Sequence, residues 1–279
     1  MRVSIPTDTP RLSQEDLADV PGVLGTIARE RLADYEEAAL DTANLDDLDR
    51  KGFADAIRAE EGLSVIAEIK RSSPSQGAIA DLVPNEAAQA YAEGGATCLS
   101  VLTEPRHFGG DLDHLRAVSR VVSLPLLRKD FVVHPVQLFE AKQAGASAVL
   151  LIVAILGRHL RAYVELADAL GLDALVEVHD EAELNTALAA RASLIGVNNR
   201  DLRSLDVDLD NAPKLIGLAR AQQFAGLLVA ESGYRTAADL NAVRDLADAV
   251  LIGTSLAGSG DLASALRQFR DDLAQERDA

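Results

Sequence analysis

Short apolar runs alternate with longer amphipathic segments along most of this chain. The short runs consist almost entirely of Val, Ile, Leu and Ala, which is typical of strands buried on both faces of a parallel sheet. The longer segments are rich in Ala and Leu and are predicted to be helices. The predicted strands cover residues 64–70, 97–102, 125–131, 148–153, 174–179, 194–198, 227–231 and 249–252. The predicted helices cover residues 85–93, 111–121, 135–144, 158–170, 181–190, 212–222, 237–246 and 261–275.

Eight strand–helix units in strict alternation predict an α/β protein with a single closed (β/α)8 barrel, the TIM barrel architecture. A doubly wound open sheet is the main competitor, but the glycine-rich turn that would favour it after the first strand is missing. We expect residues 63–279 to form the barrel. Residues 1–62 are expected to form an N-terminal helical extension packed on it, with helices at 23–37 and 53–60. This extension either caps one end of the barrel or folds over the active site.

The chain is strongly acidic, with a formal net charge of −17, no Trp and 4% aromatic residues. Such a surface repels nucleic acid and anionic membranes and offers few platforms for base stacking. No apolar run approaches the roughly 20 residues that span a bilayer, and no signal-peptide pattern is present. The single cysteine, Cys98, is consistent with a reducing cytoplasm. We expect a cytoplasmic protein without nucleic-acid or membrane partners; the oligomeric state stays open, with a monomer favoured.

Charged residues interrupt the first predicted strand. Glu68 and Lys70 are two positions apart among apolar neighbours, so their side chains point to the same face. Burying two ionisable groups is costly unless they pair or take part in chemistry. For one such pair, a structural salt bridge is the better interpretation.

Other predicted strands also end in charged or amide side chains. These residues are Lys129, Glu177, Asn198, Arg200 and Glu231. Because function in (β/α)8 barrels gathers at the C-terminal ends of strands, so many polar ends favour a site over isolated structural pairs. After the last two strands come 231–233 (ESG) and 253–255 (GTS), whose small residues let backbone N–H groups approach an anion. We interpret these two loops as a phosphate site.

Six segments resemble the indole-3-glycerol-phosphate synthase family of the tryptophan pathway in order and spacing. They are residues 66–75 (IAEIKRSSPS), 127–131 (LRKDF), 175–179 (LVEVH), 196–202 (GVNNRDL), 229–233 (VAESG) and 251–255 (LIGTS). The resemblance runs from about residue 63 to residue 256, and the first sixty residues match only loosely. Thr254 stands where many members have serine, which preserves a hydroxyl group.

The resemblance implies conversion of 1-(2-carboxyphenylamino)-1-deoxy-D-ribulose 5-phosphate to indole-3-glycerol phosphate, with loss of CO₂ and water and with no metal or organic cofactor. By the same analogy Lys129 is the acid of ring closure and Glu177 the base. Lys70 with Glu68 forms a second acid–base pair, and the division of roles between the two lysines stays open. A lysine acid works best when its pKa is lowered towards neutrality.

The resemblance also implies substrate contacts. Asn198, Arg200 and Glu231 are expected to hold the polar groups of the substrate, with Phe131 and Leu150 lining the aromatic pocket. The expected phosphate ligands are Ser73, Ser232, Gly233, Gly253 and Thr254.

Three other functions compete with this interpretation. A class I aldolase-like barrel would use Lys70 or Lys129 as a Schiff-base lysine. The neighbouring isomerase of the same pathway would need a Cys/Asp pair at strand ends, whereas Cys98 is placed within a strand. A non-catalytic sugar-phosphate-binding barrel would have no use for the acid–base set.

Overall fold

Eight parallel strands close into a barrel in the computed structural model, which describes residues 9–39, 52–75, 77–79 and 82–277, with side chains to residue 275. The strands are β1 (Ser64–Ile69), β2 (Cys98–Leu102), β3 (Leu126–Lys129), β4 (Ala148–Ile152), β5 (Asp173–Val178), β6 (Leu194–Asn198), β7 (Leu227–Glu231) and β8 (Ala249–Ile252). Each strand pairs with its neighbour in sequence, and β1 also pairs with β8, which closes the ring. The predicted (β/α)8 barrel is confirmed.

Helices follow the strands and cover the outside of the barrel. The longer ones are Pro84–Glu93, Leu112–Val121, Val136–Gln143, Leu160–Ala169, Glu181–Ala189, Asn211–Ala221 and Leu262–Arg277. Shorter helical turns are Pro105–Phe108, Val153–Leu156, Gly157–His159, Ala237–Leu240 and Thr254–Ala257. A small hairpin of Ser72–Ser73 and Gly77–Ala78 follows β1.

The helix predicted at residues 237–246 is wrong in part. A 3₁₀ helix covers Ala237–Leu240, opened by a capping box between Thr236 and Asp239, and turns follow it. The backbone hydrogen bonds show the difference, because Asn241 N–H donates to Ala238 O and Val243 N–H donates to Leu240 O, three residues back as in a 3₁₀ helix. The residues are therefore coiled as expected, but more tightly.

One N-terminal helix, α2 (Phe53–Ala59), lies at the end of the barrel where the strands begin. The backbone N–H of Ala54 donates to Asp173 Oδ2 at the start of β5, and Ser64 Oγ at the start of β1 donates to Ile57 O. Phe53 is fully buried beside Cys98 Sγ, which points at its carbonyl at 3.8 Å. This end of the barrel is therefore closed by packing.

A second N-terminal helix, α1 (Gly22–Asp34), lies at the opposite end, over the loops that follow the strands. Its first turn donates backbone N–H groups to the carbonyls of Leu202 and Arg203 after β6. Its last turn pairs Arg31 with Asp130 after β3. The two helices thus answer the question left open by the sequence, because one caps the barrel and the other flanks the strand ends. The division at residue 62 stays a prediction, and residues 1–8 and 40–51 lie outside the described part of the chain.

Among the helices described, none is both long enough and apolar enough to cross a membrane.

Candidate functional site

A cavity of about 530 Å³ opens at the C-terminal ends of the strands. It is lined by every predicted site residue except Glu177, whose side chain contacts the lining residue Lys129. The predicted residues in its wall are Glu68, Lys70, Ser73, Lys129, Phe131, Leu150, Asn198, Arg200, Glu231, Ser232, Gly233, Gly253 and Thr254. Closure of the barrel therefore brings residues from distant parts of the chain into one concave site, as expected for this architecture.

Three carboxyl groups and two ammonium groups form an inner cluster at the floor of this cavity, comprising Glu68, Lys70, Lys129, Glu177 and Glu231. Lys70 Nζ lies 2.5 Å from Glu68 Oε1, so these two form the pair that their spacing predicted. Lys129 Nζ lies 3.2 Å from Glu177 Oε2 and 3.7 Å from Glu231 Oε2. All three carboxyl side chains are almost completely buried.

In the inner cluster, neighbouring opposite charges shift the pKa values of Glu68 and Lys129 in the direction opposite to the effect of burial. Burial alone would raise the pKa of Glu68, but the ammonium groups of Lys70 and Lys129 outweigh it and lower that pKa. Burial alone would lower the pKa of Lys129, but Glu177, with further carboxyl groups, outweighs it and raises that pKa. Lys129 thus differs from the general case of a lysine acid with a lowered pKa, because it is surrounded by acids.

Among the carboxyl groups of the inner cluster, Glu231 is the one whose hydrogen-bonding capacity is least satisfied. Its Oε1 atom is buried and has no hydrogen-bond donor among the described residues. Burial and the neighbouring Glu177 raise the pKa of Glu231 to about 8, although Lys129 opposes the shift. A proton on Glu231 at neutral pH follows from this environment.

The loops after β7 and β8 form the predicted anion end of the cavity. Ser232 has a left-handed φ of 66°, and the following Gly233 has a φ of 92°. Ser232 is held there by Asn199, whose Nδ2 donates to its carbonyl. A non-glycine residue in this conformation is strained, and such strain is frequent at functional sites.

Ser255 belongs to the same end of the cavity and lies in the loop predicted to bind phosphate, but it was not among the expected ligands. It lies in the short helix that begins at Thr254, and its buried Oγ has no partner among the described residues. A hydroxyl group without a partner at a helix start is suited to an anionic ligand. The motif at 251–255 held the signal, but only its glycine and threonine were singled out.

Arg200 supplies a cation at the mouth of the cavity. Its Nη1 donates to Leu205 O at 2.7 Å, and its backbone N–H donates to Asn198 Oδ1 at 2.9 Å. Burial lowers the pKa of Arg200, with Glu68 opposing, yet a guanidinium stays charged at neutral pH. Its remaining N–H groups are positioned for a carboxylate or a phosphate.

Aromatic and aliphatic side chains form the other wall. Phe131 packs against Phe108, with ring centroids 5.7 Å apart, and Leu150 lies beside them in the lining. Phe108 was missed because it follows β2, a strand after which no site residue was predicted. Further lining residues that the sequence analysis missed are Leu202, Leu205, Val207 and Tyr234.

A second buried group of charges, the outer cluster, lies on the opposite face of β3 and comprises Arg31, Tyr35, Arg128, Asp130 and Glu140. Arg31 Nη2 and Arg128 Nη2 both donate to Asp130 Oδ2, at 2.8 and 2.9 Å. Arg128 Nη1 also donates to Glu140, and Tyr35 OH bridges the two. Arg128 and Asp130 flank Lys129 in sequence, so this cluster fixes the strand that carries the lysine.

No group of three or more His, Cys, Asp or Glu side chains in the described part of the chain has the arrangement of a metal site.

The fold and the site define a (β/α)8-barrel protein with an anion-binding end and a buried acid–base cluster. Similar folds occur in thiamine phosphate pyrophosphorylase from Pyrococcus furiosus (TM-score 0.57, 15% identity, 76% of this chain and 96% of that one) and tryptophan synthase from M. tuberculosis (TM-score 0.57, 17% identity, 80% and 96%). At these identities the likeness concerns the fold alone.

Sequence comparison gives the family. The family model described as indole-3-glycerol phosphate synthase matches residues 25–269. The indole-3-glycerol phosphate synthase of Deinococcus radiodurans is 55% identical over 260 residues, covering 91% of this chain and 97% of the relative. That of Mycolicibacterium vanbaalenii is 51% identical over 214 residues, covering 76% and 77%. The chain belongs to the indole-3-glycerol phosphate synthase family.

Proposed function

We propose that this protein is an indole-3-glycerol-phosphate synthase, a carbon–carbon lyase that acts on 1-(2-carboxyphenylamino)-1-deoxy-D-ribulose 5-phosphate. The aromatic carbon that bears the carboxylate attacks the ketone carbon, CO₂ leaves, and water is then eliminated to give indole-3-glycerol phosphate. Because only CO₂ and water are released, the conversion needs no external oxidant or reductant. Within a chain of this family, the observation that carries the proposal is the largely buried ammonium of Lys129, which lines the cavity beside both an aromatic wall and two carboxyl groups.

The substrate carries two anionic groups, a phosphate and a carboxylate, and the cavity offers a separate place for each. The phosphate is assigned to the end with Ser232, Gly233, Gly253 and Thr254, with Ser73 from the hairpin after β1 and the unpartnered hydroxyl of Ser255. The carboxylate is assigned to Arg200 at the mouth. The aromatic ring then lies against Phe131 and Leu150, and Asn198 and Glu231 hold the remaining polar groups.

Lys129 is the proposed acid of ring closure. As the bond to the ketone carbon forms, the ketone oxygen develops negative charge, and the Lys129 ammonium delivers a proton to it. A raised pKa keeps Lys129 protonated until then, and a developing alkoxide is basic enough to accept that proton. Such a transfer typically contributes about 10²–10⁴-fold to the rate.

Elimination of water needs an acid for the departing hydroxyl group and a base for the neighbouring carbon. Glu177 is the proposed base, held 3.2 Å from Lys129 Nζ. Lys70, paired with Glu68, is the proposed second acid. The two lysines approach the cavity from different strands, so each step can use its own proton donor.

Two competing functions are less well supported. A Schiff-base lysine must lose its proton before it attacks a carbonyl, whereas the carboxyl groups around Lys129 raise its pKa. The isomerase alternative needs a cysteine among the reacting groups, and Cys98 begins β2 at the far end of the barrel, where burial raises its pKa. The acidic surface and the single buried thiol favour a cytoplasmic location for this enzyme. We also propose that residues 1–62 form an extension and that residues 63–279 form the barrel.

The test is an assay of the purified protein with the carboxyphenylamino ribulose phosphate, following indole fluorescence. The expected result is saturable turnover in the presence of a chelator and release of one CO₂ for each indole formed. Absence of an indole signal at high enzyme concentration, with and without added metal ions, would overturn the proposal. Borohydride added with the substrate provides the control for the aldolase alternative, since only a Schiff base is trapped as a stable adduct.

A further inference from the structure

A glycine interrupts the inner wall of the barrel between two carboxyl groups. Gly196 on β6 lies in register with Glu177 on β5, and Glu231 on β7 pairs with Asn198, two residues further along β6. A Cβ atom placed on Gly196 would lie 1.9 Å from Glu231 Oε1 and 3.2 Å from Leu175 Cδ1. The Glu231 carboxyl group therefore occupies the space in which any other residue would have its side chain.

The missing side chain lets Glu231 cross the intervening strand. Neighbouring strands lie about 4.8 Å apart, so residues on β5 and β7 are separated by twice that distance. Glu231 nevertheless shares Lys129 Nζ with Glu177, at 3.7 Å and 3.2 Å, and both the charge of Glu177 and hydrogen bonding to its side chain raise the pKa of Glu231. The backbone of Gly196 has no left-handed strain, so a steric role explains this glycine better than a conformational one.

The charges that face Glu231 do not balance if every acid is ionised. Lys129 from β3, Glu68 from β1 and Glu177 from β5 act on it directly. Lys70 is paired with Glu68, Arg200 lies at the mouth, and the register partner on β8, Leu251, is apolar. Lys70 and Arg200 both act on Glu68, which leaves Glu177 and Glu231 beside the single ammonium of Lys129. One bound proton restores the charge balance between these two acids and Lys129.

We propose that Gly196 opens the barrel wall so that Glu231 and Glu177 share one proton, with Glu231 as the hydrogen-bond donor in the ligand-free protein. The proton accounts for the Glu231 carboxyl group, which otherwise has an unpartnered buried oxygen beside another acid. It leaves the negative charge on Glu177, next to Lys129. The role of Glu231 in turnover rests on the proposed function, whereas the shared proton does not.

The consequence for the reaction is a positioning role for Gly196. By admitting Glu231, it provides Glu177 with a donor that holds its carboxylate in place. Glu231 is neutral below a pKa of about 8 and becomes a carboxylate above it. Ionisation would set two negative charges beside each other in the same space, so turnover is expected to fall as the pH rises through this value.

Infrared difference spectroscopy of the ligand-free protein tests the shared proton without any need for turnover. We expect a protonated-carboxyl C=O band at pH 6.5 that shifts in D₂O, disappears above pH 9 and is absent in Glu231→Gln. Gly196→Ala should shift or remove the band, and the matched control Gly217→Ala should leave it unchanged, because a Cβ on Gly217 would contact nothing within 4 Å. No such band in the parent protein, or an unchanged band in Glu231→Gln, would overturn the proposal.

Kinetics provide the second arm. Gly196→Ala is expected to lower kcat about 10²-fold, as displacement of a catalytic group by about 1 Å can do, while Gly217→Ala stays within twofold. The alkaline limb of the parent pH profile should be missing in Glu231→Gln. An unchanged kcat in Gly196→Ala, or the same limb in both proteins, would contradict the positioning role. If Gly196→Ala does not fold, the infrared result for Glu231→Gln decides whether the proton is shared. A carboxyl band in a parent protein without any turnover would refute the proposed function but not the shared proton.

Discussion

The inner and outer clusters lie on opposite faces of β3 and differ in how completely their charges are matched. In the outer cluster, Asp130 accepts hydrogen bonds from two guanidinium groups and from Thr103 Oγ1. In the inner cluster, Glu231 Oε1 has no donor among the described residues, and Glu231 shares the single ammonium of Lys129 with Glu177. Asp130 and Glu231 are both almost completely buried, so the difference between them lies in how their charges are matched.

This difference teaches how one strand can be both rigid and reactive. The outer cluster pins Arg128 and Asp130 on either side of Lys129, so that the lysine backbone is fixed from behind. The inner cluster holds its groups without satisfying all of them, and a substrate can therefore take over some of their interactions. Satisfied buried networks rigidify a fold, whereas perturbed and unmatched groups mark sites of chemistry.

The largest effect on turnover is expected from removing the Lys129 ammonium group of the inner cluster. Lys129→Met should lower turnover by about 10²–10⁴-fold, because the proton donor of ring closure is lost. The circular dichroism spectrum should not change, since the remaining acids can bind protons. The assay is indole fluorescence, with Lys214→Met on an outer helix as the matched control. Near-normal turnover of Lys129→Met would contradict its role as the acid.

Breaking the outer cluster should affect stability more than chemistry. Asp130→Ala leaves Arg31 and Arg128 without their shared carboxylate, and loss of one partner of a buried ion pair costs about 3–5 kcal/mol. Urea unfolding measures this loss, and kcat is compared at temperatures where the variant is folded. A stability within about 1 kcal/mol of the parent would mean that the cluster does not fix β3.

A smaller loss is expected when one neutral member of the outer cluster is removed. Tyr35 OH donates to Glu140 at 2.7 Å and accepts from Arg128 at 3.2 Å. Tyr35→Phe should destabilise the protein by about 1.5–3 kcal/mol, the range for hydrogen bonds to charged groups. The surface pair of Arg161 and Glu165 provides the comparison, because Arg161→Gln should cost less than about 0.5 kcal/mol. Equal losses of stability in urea unfolding for Tyr35→Phe and Arg161→Gln would show that the outer cluster stabilises the fold no more than a surface ion pair does.

The smallest effect, counted per pH unit, is a difference in how the free energy of unfolding depends on pH. The pKa of Asp130 is lowered because Arg128 and Arg31 outweigh its burial, so its stabilisation is present above about pH 4 and is lost at lower pH. The pKa of Glu231 is raised to about 8, so the folded state holds a proton that the unfolded chain has lost, and stability falls as the pH rises towards 8.

Glu231→Gln should remove that fall, which amounts to at most about 1.4 kcal/mol for each pH unit. Urea unfolding of parent and variant between pH 5 and pH 8 measures it. Parallel stability curves for the two proteins would show that Glu231 does not retain its proton in the folded state.

Much of the barrel was predictable because its strands are apolar on both faces. The runs at β1, β4 and β6 could be located from the sequence to within a residue or two. The site residues were predictable for a related reason, since Glu68 and Lys129 are charged positions within strands that otherwise bury only aliphatic groups. The 3₁₀ helix at Ala237–Leu240 was not predictable, because Leu and Ala patterns do not separate 3₁₀ from α-helical turns.

The outer cluster had a signal that was not used. Arg128 and Asp130 flank Lys129 in sequence, so their side chains point to the outer face of the strand. Two charges buried on that face also need partners. Their partner Arg31 was not predictable, because the contact joins residues 99 positions apart in sequence. Gly196 had a weaker signal, as a glycine within an apolar strand indicates close approach by another group.

The sequence by itself determined the alternation of strands and helices, the charged strand ends and the family. Periodicity and residue type are local properties, and they constrain which side of a strand each side chain occupies. Only the tertiary structure decided that α1 flanks the strand ends while α2 closes the other end of the barrel. It also decided that Glu231 crosses Gly196 to reach Glu177, because such contacts depend on barrel closure and on the distances between strands.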